Sequence, residues 1–312
     1  MNLHWLDWTI IFALIGGMVV TLFYCNGYMK SVSDFLAANR CAGRYILTTA
    51  SSISGLGAIT IIAQFQMYYQ SGFSATWWQL MPLPIGMIMA LSGWVIYRYR
   101  ETRALTLAQF FEIRYSRRFR IFAGCICWLS GLLNYGIFPA VSTRAFMWFT
   151  GMPAQFTLFG FRLATFPCLM ALFLATGLFF CYMGGQIAIM VTDFIQGVFC
   201  NLAFIILIAF IAVYFTWDQI FAALITNAAP GASMVNPLQT MKTEDFSPWY
   251  FITLAIGSFY GAMAWQGSQG YNAAARSPHE ARMASVLGQL RSLAGILLMF
   301  LAVTLAALVL AG

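Results

Sequence analysis

The residues best placed to do chemistry lie between Tyr45 and Ser71, in the stretch YILTTASSISGLGAITIIAQFQMYYQS. It is long enough to cross a bilayer and carries no charged side chain. Its middle, Thr48 to Thr60, is crowded with hydroxyls and holds Gly55 and Gly57. Ser and Thr offer the backbone competing hydrogen bonds, and each Gly weakens a helix by roughly 1 kcal/mol relative to Ala. A membrane helix broken at this point frees carbonyls that lipid cannot satisfy, so the break must face protein or a wet cavity. Carbonyls so freed can hold a cation. The same small residues would also suit close helix packing, and the stretch alone leaves both readings open.

Two formally charged side chains, Arg144 and Asp193, fall inside apolar spans. An ionised group at mid-bilayer costs roughly 2.5–3.5 kcal/mol on insertion scales, so it faces a cavity or a partner. Arg144 is near the end of its span and can snorkel to the interface. Asp193, in GGQIAIMVTDFIQ, could attract a departing cation or simply complement a helix dipole. His4 and His279 are far apart, and no Cys/His cluster or nucleophile motif lies between them. Enzyme chemistry is therefore not expected. The seven cysteines lack paired metal spacing and are expected to be small core residues.

The elements that must position these groups are membrane helices. Of 312 residues 61% are hydrophobic and 8% charged, against about 25% charged in soluble domains. Eight apolar spans are expected: Trp8–Tyr24, Tyr45–Tyr69, Trp77–Tyr97, Ile121–Thr150, Leu163–Met183, Gln186–Phe215, Trp249–Tyr271 and Ser292–Ala311. The alternating ten-residue segments of a membrane barrel are absent. The net charge of +7 is a topology signal and gives no case for nucleic acid. With the N-terminus outside, the connections holding Lys30–Arg44, Arg98–Arg120 and Arg276–Arg291 are cytoplasmic. They carry all the basic residues except Arg144, Arg162 and Lys242. Arg98–Arg120 mixes apolar and basic residues as an interfacial amphipathic helix does. Thr216–Pro248 is expected to be an irregular external loop, and no second domain is expected within 1–312.

Four separated motifs together resemble the sodium:solute symporter family. They are Asp34-Phe35-Leu36-Ala37-Ala38-Asn39-Arg40, Thr106 to Tyr115 (TLAQFFEIRY), Gly184-Gly185 with Thr192-Asp193 and Gln196, and Gln266 with Ala274-Ala275-Arg276 and Glu280-Ala281. The resemblance implies an all-α membrane protein with a leucine-transporter-type fold of two inverted five-helix repeats. Residues 1–30 would be an extra helix, 45–215 the first repeat, and 249–312 the beginning of the second.

It further implies a small organic solute and Na+ as the coupling ion, with no other cofactor, in a multi-pass cell-membrane protein surrounded by lipid. The Ala50 and Ile53 carbonyls, Ser54 and Asp193 would serve sodium. Ser52, Ser54, Gly55, Ser258, Tyr260, Gly261, Trp265 and Gln266 would face the solute. Ser52 stands where proline carriers have Asp, and Leu56 where sugar carriers commonly have Glu, which disfavours sugar. The other family sodium ligands come from a later helix, so half a sodium site and half a cavity are expected here, with transport by this chain alone incomplete. A membrane sensor or scaffold that binds solute without moving it is the alternative.

Overall fold

The computed structural model describes residues 3–158, 160–226, 228, 230–240, 246–291 and 295. The expected span Ser292–Ala311 lies outside the described residues, apart from residue 295. Helix α1 (Trp5–Asn26) starts at a capping box in which Asp7 Oδ2 accepts the His4 N–H at 2.8 Å. It packs along α10 (Thr165–Tyr214), burying Leu22 and Cys25. Helix α2 (Val32–Ala37) has a second capping box, where Asp34 accepts the Lys30 and Ser31 N–H groups at 3.0 and 2.9 Å. Those donors hold the Asp34 carboxyl below the usual carboxylate range. Three consecutive left-handed residues, Ala38, Asn39 and Arg40, then redirect the chain.

The span Tyr45–Tyr69 is broken. Helices α3 (Arg44–Ser54) and α4 (Ala58–Ser71) meet at 67° across Gly55–Gly57. Residues 74–101 divide into α5 (Ser74–Gln79), α6 (Pro82–Ser92) and α7 (Trp94–Glu101). Pro82 opens α6 because it needs no N–H partner there, and Gly93, at φ +62, turns the chain into α7. In the basic connection, α8 (Leu107–Arg114) begins at Thr106, whose hydroxyl accepts the Gln109 N–H. It covers only the middle of the single amphipathic helix expected over Arg98–Arg120, because Tyr115 leaves helical geometry. Helix α9 (Arg117–Thr150) follows.

A hairpin, β1 (Gln155–Leu158) with β2 (Phe161–Ala164), interrupts the all-α expectation. Gly160 at φ +83 makes its tight turn possible. Helix α10 carries two of the expected spans, divided at Gly185, where φ +50 and ψ −158 depart from helical geometry. A Cβ at Gly185 would stand 2.9 Å from Met29 Sδ and Phe35 Cδ2, so the residue also serves close packing. The expected irregular loop after Phe215 instead folds first into α11 (Trp217–Thr226), whose buried Ile220, Ala223 and Leu224 give it an apolar face to pack. Helices α12 (Pro248–Ala264) and α13 (Gln266–Ala274) are separated by Trp265 at ψ 114. A last helical stretch, α14, is described over 278–291.

By length and composition, Trp5–Asn26, Ser74–Glu101, Arg117–Thr150 and Thr165–Tyr214 are able to cross a membrane, and α3 with α4 forms a further, bent candidate. Large apolar side chains stand on the outside, among them Val20 at 70%, Ile206 at 68% and Val213 at 79% exposure. Water would penalise such a surface, whereas lipid tails match it. The seven cysteines are free, and only Cys25 is fully buried. Four of them are exposed, so the expectation of core cysteines holds for the minority. The interior is built from small residues: Ala42, Ala50, Ala274, Ala275, Ala281 and Ala284 gather with Leu47, Met190 and Tyr271. Small side chains let α3, α10, α13 and α14 approach closely.

Candidate functional site: two broken helices around a cavity

The first break follows local chemistry and the second a distant contact. At the end of α3, the Ser52 hydroxyl donates to the Thr48 carbonyl at 2.6 Å and Ser54 to the Ser51 carbonyl at 2.8 Å. Such back-bonding weakens and bends a helix. The Ile53 carbonyl accepts the Leu56 N–H at 2.8 Å, closing the turn before Gly57. At the second break, the Gln266 amide donates to the Cys127 carbonyl of α9 at 2.8 Å. That bond fixes the start of α13 to a neighbouring helix.

The N-terminal end of α3 and the C-terminal end of α13 are joined. Ala42 donates to the Ala274 carbonyl at 3.0 Å, and Arg276 donates to the Ala42 carbonyl at 2.8 Å. Glu280 grips Arg44 through its backbone N–H at 2.8 Å and its guanidinium at 2.5 Å. The Arg44 hydrogen bonds hold the Glu280 carboxyl down at about 2. Arg100, from α7, donates to the Ala275 carbonyl at 2.7 Å. Further in, the Tyr271 hydroxyl donates to Asp193 Oδ2, connecting α13 to α10, and Ser54 is within hydrogen-bonding reach of the same hydroxyl.

Between these elements lies a cavity of about 490 Å³. Ser51 of α3, Gly86 of α6, Ser258, Gly261 and Trp265 at the second break, Tyr271 of α13, and Ser285 and Gln289 of α14 are among its lining residues. The wall contains no Lys, Arg, Asp or Glu among the described residues.

The structure therefore brings Ser258, Gly261 and Trp265 together at the cavity. It places Ser54 beside the Tyr271–Asp193 link and Gly55 at the end of α3. Ala50 is fully buried in the α3 core, and Ile53 is buried one turn from the break. The remaining expected solute residues do not line the cavity. Ser52 is committed to Thr48, Gln266 is committed to Cys127, and Tyr260 is 61% exposed with its ring edge-on to Phe259.

Sequence reasoning missed Ser51, Tyr271, Ser285 and Gln289. The last two are one helical turn apart, the spacing that puts both on one face. It also counted Arg291 among loop residues, whereas its Nη2 lies 3.6 Å from where a Cβ on Gly197 of α10 would stand. Arg144 sits 5.4 Å over the Phe166 ring, a cation–π arrangement near the end of α9.

This is a membrane-type helical bundle with two discontinuous helices facing a shared cavity, the class of architecture found in secondary transporters. In structure it is similar to a Na+-coupled sialic acid symporter solved in a substrate-bound, outward-open state. The TM-score is 0.76, with 16% identity over 96% of this chain and 59% of that one. At that identity the likeness defines the fold, and this chain spans 59% of the symporter's length. No family model matches the sequence, and no curated protein matches it.

Proposed function

We propose that this chain supplies the N-terminal part of a sodium-coupled symporter for a small organic solute, working by alternating access. The observation that carries the reading is the pair of broken helices, α3/α4 and α12/α13, set around one cavity. Likeness to a sodium-coupled symporter fold supports it. In this reading residues 1–30 form an extra helix, 45–215 the first repeat and 249–312 the start of the second. The N-terminus is outside and the basic connections are cytoplasmic.

Sodium would be held at the end of α3 by the Ala50 and Ile53 carbonyls and Ser54, and would leave past Asp193. Ser258, Gly261 and Trp265 would meet the solute. One sodium ion crossing 100 mV supplies about 2.3 kcal/mol, enough for roughly forty-fold accumulation of solute.

The test is uptake into proteoliposomes under an inward sodium gradient, with the chain alone and with any longer form. Solute uptake that falls when choline replaces sodium is expected. Uptake indifferent to that exchange would remove the coupling claim, and solute binding without flux would favour a sensor or scaffold.

A further inference from the structure

We propose that Arg40, Arg100 and Arg103 form a binding site for a phosphate-type oxyanion, and that its occupation locks the link between α3 and α13. The site lies away from the cavity, and the inference stands whether or not the chain moves a solute.

Contacts distant in sequence bring the three arginines to one place. Arg40 follows α2, and its Nη2 donates to the Arg103 carbonyl at 2.8 Å. The Arg103 N–H donates to the Arg100 carbonyl at 3.3 Å, at the end of α7. Arg40 and Arg103 both stand on left-handed backbone, at φ +56 and +54, which costs a residue with a Cβ roughly 1–2 kcal/mol. Arg100 is only 7% exposed.

The protein does not neutralise this charge. Ion pairs among the described residues join Arg44 to Glu280, Arg98 to Glu101 and Arg120 to Glu112. Asp34, on the helix before Arg40, is occupied by the N–H groups of Lys30 and Ser31. The charges that act on Arg100 are those of Arg40 and Arg103, which repel it.

Donors are also left over. Arg100 Nε donates to the Ala275 carbonyl at 2.7 Å and Nη2 to the Arg276 carbonyl at 3.4 Å, while Nη1 has no partner among the described residues. Arg40 Nε is buried and has none either. A buried donor without an acceptor costs about 1–3 kcal/mol, and an orphaned group of this kind marks a place for an ion.

A phosphate suits the cluster because guanidinium forks bind its oxygens in pairs. Arg103 is exposed, so the cluster opens to solvent. The interfacial helix α8 begins just beyond it, at Leu107, so a lipid headgroup and free phosphate are both possible sources. Arg100 holds the Ala275 and Arg276 carbonyls, and the neighbouring backbone pairs with Ala42. Repulsion from Arg40 and Arg103 works against that hold, and an anion among the three removes it.

The experiment places the full chain in phosphatidylcholine nanodiscs and titrates inorganic phosphate against chloride at constant ionic strength. Hydrogen exchange at the Ala42 and Arg276 amides reports opening of the link. With phosphate at ten times its Kd, exchange should slow about tenfold. Arg103→Gln and Arg40→Gln should each weaken phosphate about tenfold, whereas Arg118→Gln, at an exposed arginine of α9, should change nothing. A second arm replaces phosphate by phosphatidic acid in the nanodisc. Slowing in either arm supports the site, and the arm that responds identifies the source. No slowing in either arm overturns the proposal. So does chloride acting as well as phosphate, an unaltered response in both cluster variants, or an equal loss in Arg118→Gln.

Discussion

Replacing Tyr271 by Phe deletes one oxygen from a ring that is 8% exposed and otherwise keeps its packing. That oxygen donates to Asp193 Oδ2, across the contact between α13 and α10. Because the ring stays, no cavity opens, and the cost comes from the lost hydrogen bond and the stranded acceptor. A hydrogen bond to a charged group contributes about 1.5–3 kcal/mol, so Tyr271→Phe should destabilise the fold by that amount. Asp193→Asn keeps the shape and removes the charge that makes the bond strong. If the two groups act through each other, the double variant should lose at least about 1 kcal/mol less than the sum of the singles. Equilibrium unfolding in mixed detergent and dodecyl sulfate micelles, run on all four proteins, measures this coupling. Additivity within about 0.5 kcal/mol would refute the reasoning and leave Asp193 to be held by other groups.

Glu280 gives a pH test. Its carboxyl titrates at about 2 in the folded chain, below its ordinary 4.5. The stabilisation it contributes is therefore complete above pH 4.5 and lost as pH falls toward 2. Melting temperature should show an acid-side fall across that window, and Glu280→Gln should flatten it. Gly185→Ala places a Cβ at φ +50 and 2.9 Å from Phe35, which should cost about 2 kcal/mol or more in the same unfolding assay. Gly197→Val drives a side chain into Thr49, whose Cγ2 stands 2.6 Å from a Cβ at that position. It should separate α3 from α10 and speed proteolysis near the first break, while Cys200→Val, on the same helix, should not.

The first break was half legible: hydroxyls at 48–54 and glycines at 55 and 57 weaken any helix they occupy, but the same small residues also suit close packing. Gly184-Gly185 was similarly visible as the division between two spans. The second break had no such signature. Trp265 and Gln266 are not helix breakers, and the interruption is secured by a bond to Cys127, 139 positions away in sequence. The cavity wall was only partly legible for a geometric reason. Adjacent helical residues point about 100° apart, so Ser51 lines the cavity while Ser52 turns back onto α3. Tyr260 lies outside the cavity wall for the same reason, since a motif places a segment but not the orientation of each side chain. The hairpin at 155–164 escaped notice because strands of four residues are too short to show alternation above an apolar background.

The strap joining Ala42, Arg44, Arg100, Ala274–Arg276 and Glu280 has a mechanical consequence. It rivets α3 and α13 at one end, while each remains hinged at its own break. Two rods so fixed share one degree of freedom, and a tilt of α3 obliges α13 to tilt with it. Strain introduced at either hinge is thus delivered to the other through the strapped end of the bundle.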